Sequence, residues 1–144
     1  MTVLKTIAVL LLALTMTEVR AQGEFPSKEG DRVRYSALIE MPKAYLSGIC
    51  ILLREDGVVK GSLFNEFGIS ALDFTYRLDK DKVKLHHVIK MLDRWYIKRV
   101  LKKDMRELIH RLQQGQSEYQ NERYHIQYRF TPLKENPTAD EIQK

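Results

Sequence analysis

Residues 45–65 read YLSGICILLREDGVVKGSLFN, two apolar runs hinged on Glu55-Asp56-Gly57. An Asp-Gly pair supplies the positive φ angles that a tight hairpin turn needs, so Tyr45 to Arg54 and Val58 to Asn65 read as paired antiparallel strands. Upstream, Val33, Tyr35, Ala37, Ile39 and Met41 alternate with mostly polar residues, Arg32, Arg34, Ser36 and Glu40. That period of two describes a strand with one wet face, interrupted by Pro42 and Lys43. Downstream, Glu66-Phe67-Gly68 bends the chain into Ile69 to Leu78, with Leu72, Phe74, Tyr76 and Leu78 on one face. The charged turn from Asp79 to Lys82 leads into Val83 to Ile89. Links this short cannot make parallel crossovers, so the five strands form an antiparallel meander.

The period then changes. Ile97, Val100, Leu101, Met105, Leu108, Ile109 and Leu112 follow helical spacing and occupy one half of a helical wheel, and Gly115 supplies the stop. Leu92, Trp95 and Tyr96 fall on the opposite side, among charges. That mismatch predicts a kink or break, with helical pieces over residues 91–103 and 104–114 and Asp104 capping the second. Tyr124, Ile126, Tyr128 and Phe130 alternate with His125, Gln127 and Arg129 as a last strand, ended by Pro132. The expected class is α+β: a curved antiparallel β-meander, an open half-barrel, with amphipathic helices packed on one face.

The ends of the chain read differently. Residues 6–16, TIAVLLLALTM, follow Lys5 and precede Ala21, the order of a secretory signal peptide cleaved near Ala21. The run is short of the ~20 apolar residues that span a bilayer. The expected segments are a signal peptide over 1–21, a linker over 22–30, a single domain over 31–133 and a disordered tail over 134–144. Cleavage leaves 123 of the 144 residues; removing Lys5, Arg20 and Glu18 from 24 basic and 19 acidic residues leaves 22 and 18. Cys50 is the only cysteine. It excludes an intramolecular disulfide, and no cysteine stands at the cleavage site to accept a lipoprotein acyl group. The expected product is periplasmic or secreted, and soluble.

Candidate chemistry is sparse. His86 and His87 are adjacent on a predicted strand and so point to opposite faces, while His110 and His125 lie elsewhere without cysteine or carboxylate at ligand spacing. No metal and no cofactor is expected. Cys50, flanked by Ile49, Ile51 and Leu52, reads as a buried core thiol. The pairs Asp79/Asp81 and Glu55/Asp56 sit in turns, where acidic residues favour turn conformations. No phosphate loop or Gly-x-Ser-x-Gly elbow is present. No catalytic constellation therefore supports an enzyme; an exported hydrolase would need a polar pocket uniting His87 or His125 with a carboxylate.

Two surfaces remain. In the span from residue 94 to 111, with Asp93 immediately before it, Arg94, Lys98, Arg99, Lys102, Lys103, Arg106 and Arg111 outnumber Asp93, Asp104 and Glu107 by four. Arg99, Lys103, Arg106 and His110 project opposite the apolar half of the helix. Such a face is either a solvated exterior or a docking surface for an acidic protein or an anionic membrane. Export sets nucleic acid aside as a partner. The rows Val33/Tyr35/Ala37/Ile39/Met41, Leu72/Phe74/Tyr76/Leu78 and Tyr124/Ile126/Tyr128/Phe130 make the second surface. Filled by helices it is a core; lidded by them it would hold an acyl chain.

The stretch Ser47-Gly48, then residues 61–69 (GSLFNEFGI), then Ala71-Leu72-Asp73-Phe74, resembles the bacterial lipoprotein-localisation carriers and receptors. The similar part runs from about Tyr35 to Leu101. The resemblance implies a half-barrel closed by helices whose apolar hollow holds lipoprotein acyl chains. The missing acylation cysteine leaves the soluble-carrier type, and the short chain, with fewer strands after the helices, implies a smaller hollow. The expectation is a non-enzymatic envelope protein binding a lipid, acyl chain or lipoprotein. Tyr35, Leu72, Phe74, Tyr76 and Tyr128 would line its apolar face, and Trp95 and Tyr96 would help close it. The alternative is an interaction module that uses Arg99, Lys103 and Arg106 against an acidic protein or anionic surface.

Overall fold

Alternation along each strand sets the architecture, because a strand with one apolar face must bury it. The computed structural model describes residues 25–133; the segments read as signal peptide and tail, with residues 22–24, lie outside them. Seven strands run β1 (Arg32–Met41), β2 (Ala44–Glu55), β3 (Val58–Asn65), β4 (Ser70–Arg77), β5 (Lys82–Val88), β6 (Glu118–Asn121) and β7 (Ile126–Pro132). One α-helix, α1 (Trp95–Gln113), stands between β5 and β6, preceded by a 3-10 turn over Lys90–Leu92. All neighbours pair antiparallel in the order β5-β4-β3-β2-β1-β7-β6. The result is the expected α+β half-barrel, covered by one helix.

The order makes β5 and β6 the two edges, so the chain between them must cross the whole sheet. Six inter-strand gaps of about 4.8 Å span about 29 Å, and 19 helical residues rise about 28 Å. The helix is thus as long as the sheet is wide, and it touches both edges. The register stacks Tyr35 against Cys50, Cys50 against Leu63 and Leu63 against Leu72, while Ile39 faces Tyr128. This concave row packs with Leu101, Met105, Leu108, Ile109 and Leu112 of α1 into one buried core.

The helix corrects the expected break. Residues 95–113 form one uninterrupted helix, and Asp104 lies buried in its middle rather than capping a second piece. The change of direction falls earlier, at Asp93-Arg94, so buried Leu92 belongs to the 3-10 turn. Trp95 and Tyr96 do point away from the core, but the helix carries them as exposed residues instead of breaking. At its other end Gly115, with φ of 81°, closes the helix. Gln116 N–H donates to Arg111 O at 2.8 Å and Gly115 N–H to Leu112 O at 3.1 Å, the paired bonds of a glycine C-cap.

The hairpin turn forms as expected, with φ of 57° at Asp56 and 73° at Gly57. Glu29 clamps it, accepting the N–H of Asp56 at 2.8 Å and of Gly57 at 2.7 Å. The described end of the segment read as linker is therefore tied to the sheet. Tyr124, expected in the last strand, lies in the β6–β7 turn, where its N–H donates to Asn121 Oδ1 at 3.2 Å. β6 itself, with the sequence Glu-Tyr-Gln-Asn, carries one apolar residue and offers no alternation long enough to read.

Candidate functional site

The residues expected to line the apolar face of a hollow are core. Tyr35, Leu72, Phe74, Tyr76 and Tyr128 are all buried on the concave face beneath α1. Among the described residues an open cleft lies beside the helix instead, between its first turns and the β6–β7 hairpin, with the β1–β2 turn at one end. This cleft has a volume of about 960 Å³, within the range of about 300–1,000 Å³ usual for small-molecule sites.

Helical geometry explains what reaches the cleft. At about 100° per residue, Trp95, Tyr96, Arg99, Lys103 and Arg106 fall within an arc of about 100°. All five line it, so the residues expected to form a lid and those expected to form a basic docking face share one wall. Ile97, Val100 and Leu101 add apolar surface from the flank. The facing wall comes from Tyr119, Asn121, Arg123, Tyr124 and Ile126, with Met41 and Pro42 from the β1–β2 turn. Met41, Tyr124 and Ile126 belong to the apolar rows read as either core or acyl-chain surface, whereas Pro42, Tyr119, Asn121 and Arg123 were not singled out, because only the return of the chain across the sheet brings them there. Trp95 is 73 % exposed and Tyr96 53 %, and their rings meet edge to face with centroids 5.8 Å apart.

Asp104 lies at the base of this cleft and is 2 % exposed. Its carboxylate accepts the Tyr128 hydroxyl at 2.7 Å and the Asn121 amide at 2.9 and 3.1 Å. These bonds join the middle of α1 to both strands of the hairpin opposite. Burial raises the Asp104 pKa, partly countered by the two donors, and nearby Glu107 raises it further. Burial likewise pushes the Tyr128 and Tyr119 hydroxyls up. Arg111 stacks over the Tyr119 ring at 5.2 Å, a cation–π contact behind the carboxylate.

A second polar cluster anchors the other half of the helix. His110 Nε2 and the Tyr76 hydroxyl both hydrogen-bond Oδ1 of Asp81, the tyrosine at 2.7 Å. The bond from His110 holds the Asp81 carboxyl below the usual range, with Tyr76 adding to it. Burial and this carboxylate push Tyr76 up to about 12. The pair ties α1 to the β4–β5 turn.

The remaining candidates separate. His86 and His87 do not face opposite ways, because a β-bulge at Asp73/Phe74 shifts the register between them. His86 bonds the Thr75 hydroxyl at 2.9 Å and His87 stands opposite Asp73, so both lie on the outer face. Among the described residues no three metal-ligating side chains converge. Neither His87 nor His125 lines the cleft. Cys50 is fully buried and its thiol is pushed up by desolvation. It is expected to resist a thiol-specific disulfide reagent in buffer and to react once in urea; prompt native reaction would show that the core opens there.

Among the described residues no helix is long and apolar enough to cross a membrane. No family model, no curated protein and no solved structure matches this chain.

Proposed function

We propose that this chain is a non-enzymatic binding protein of the bacterial cell envelope, and that its cleft takes an anionic amphiphile. The ligand class is an acyl chain carrying an acidic head, free or as part of a lipid or lipoprotein. One observation carries the reading: aromatic and aliphatic side chains line an open cleft whose walls also carry four cations, Arg99, Lys103, Arg106 and Arg123. Apolar surface gives an acyl chain a place out of water, and cations at the mouth complement the head. The chain would lie beside the helix rather than beneath it, since the concave face is already packed. The export expected from residues 1–21 and the resemblance to lipoprotein carriers accord with such a cargo.

Titration with monomeric palmitate, read by displacement of a fluorescent fatty acid, tests this. The expected result is saturable one-to-one binding. Val100→Phe, which fills the apolar wall, is expected to weaken it at least about tenfold, and Arg99→Gln with Lys103→Gln to weaken it several-fold. Absence of uptake by folded protein would reject the reading.

A further inference from the structure

A tryptophan three-quarters exposed on a charged helix is unusual, because apolar surface of that size normally finds a partner. Trp95 is not alone. Tyr96 and Tyr124 are also exposed and reach the cleft mouth from opposite walls. Arg99 and Lys103 follow Trp95 at one and two further turns of the helix, and Arg123 stands beside Tyr124, its guanidinium 5.4 Å from that ring. Lys98 and Arg106 each have an acidic neighbour, Asp93 and Glu107, whereas no ion pair is formed by Arg99, Lys103 or Arg123 among the described residues.

We infer that this rim is a docking surface for an anionic bilayer. Indole and phenol rings favour the headgroup layer, where an apolar body and a polar tip are both satisfied. Unpaired cations among them gain from acidic lipid headgroups, while the same cations alone would suit any anion. The combination of exposed rings with cations outside any ion pair is what favours the membrane surface over an acidic protein. The surface does not require the cleft to hold anything, so this inference goes beyond the cargo reading and survives its failure.

Trp95 is the only tryptophan of the chain, so its emission reports on this rim alone. The full chain is mixed with vesicles of phosphatidylcholine, or of phosphatidylcholine and phosphatidylglycerol at three to one. The expected result is a shift of emission to shorter wavelength, and quenching by brominated acyl chains, with the anionic vesicles only. Removing a cation near the surface is expected to cost roughly fivefold in partitioning, so Arg99→Gln with Lys103→Gln should lose roughly 25-fold. Added salt should weaken the interaction, since exposed charges are screened within about 8–10 Å. Val100→Phe should bind vesicles as the unaltered protein does while losing palmitate, which separates the two readings.

Any retention through the apolar run at residues 6–16 would be equal for neutral and anionic vesicles and would not place Trp95 in the lipid. Vesicle binding that leaves the Trp95 emission unchanged therefore overturns the inference, as does an equal shift with neutral vesicles. A larger shift with soluble polyglutamate than with anionic vesicles would assign the rim to an acidic protein instead.

Discussion

Gly48→Ala is expected to be among the most damaging single substitutions in the sheet, lowering stability by about 3 kcal/mol or more. Gly48 stands in β2, between Ala37 of β1 and Asn65 of β3. A methyl group there would overlap the carbonyl oxygen of Phe64, and backbone has no rotamer by which to withdraw. β2 and β3 would have to part near the centre of a seven-stranded sheet, beside the shift in the β3–β4 register at Leu63/Phe64. Domains of this size have only about 5–15 kcal/mol to lose, so a large fall in thermal midpoint is expected. Gly61→Ala is the comparison. Its methyl would meet the ring of Phe74, including Cε1 at 2.5 Å and Cε2 at 2.6 Å, and a ring can tilt where a carbonyl cannot. A cost of about 1–3 kcal/mol is expected there. Urea unfolding of both variants tests the order, and a wild-type midpoint for Gly48→Ala would disprove the close approach of β2 and β3.

The second large effect belongs to Asp104. Asp104→Ala would leave the Tyr128 hydroxyl and the Asn121 amide without their acceptor in a buried place. An orphaned buried polar group costs about 1–3 kcal/mol, so a loss of about 3 kcal/mol is expected after relief of the buried charge is set against two orphans. Asp104→Asn keeps the volume and an acceptor for Tyr128, and should cost less. The pH dependence separates the charge from the packing. Because burial raises the folded-state pKa, the folded chain holds the proton more tightly than the unfolded chain does. Its contribution is fully present below the ordinary carboxylate value and is lost as pH rises through the folded one. Asp31 and Asp81 run the other way, since hydrogen bonds lower both. The decisive quantity is therefore the difference between Asp104→Asn and the unaltered protein. Relative to wild type, the variant should gain stability as pH rises upward from the ordinary carboxylate range. A constant difference would show that the carboxylate titrates normally in place.

Several elements were legible because their signals are local. The hairpin at Asp56-Gly57 needs only two residues able to adopt positive φ, and β1 needs only its period of two. The C-terminal stop at Gly115 is equally local. The helix was legible as a helix but not as a single one. Its apolar half predicts a core face, yet nothing in the spacing says whether Trp95 and Tyr96 break the helix or are carried outward by it. The answer depends on whether another wall stands opposite. That wall, β6 with its turn to β7, was the least legible part, since Glu118–Asn121 pairs through backbone bonds to β7 and shows one apolar side chain.

Asp104 marks the same limit from another side. Read along the chain, an acidic residue amid a helical pattern resembles a cap. Its role as a buried acceptor depends on Tyr128 and Asn121, 24 and 17 residues away. The histidines failed for a related reason: strand alternation separates His86 from His87, but a bulge in the pairing with β4 returns both to one face. Side-chain direction within a strand is a local property only while the register is regular.

By itself the sequence determined the antiparallel meander, the sided strands, the amphipathic helix and the excess of cation along it, because period and turn chemistry act over a few residues. Tertiary structure decided that the concave face is packed, that one helix crosses from edge to edge, and that the aromatic and basic residues of its first turns share a cleft with Arg123 and Tyr124. Those outcomes rest on pairing β7 with β1, a contact between residues about 90 apart, and no local pattern encodes which edge a returning strand will join.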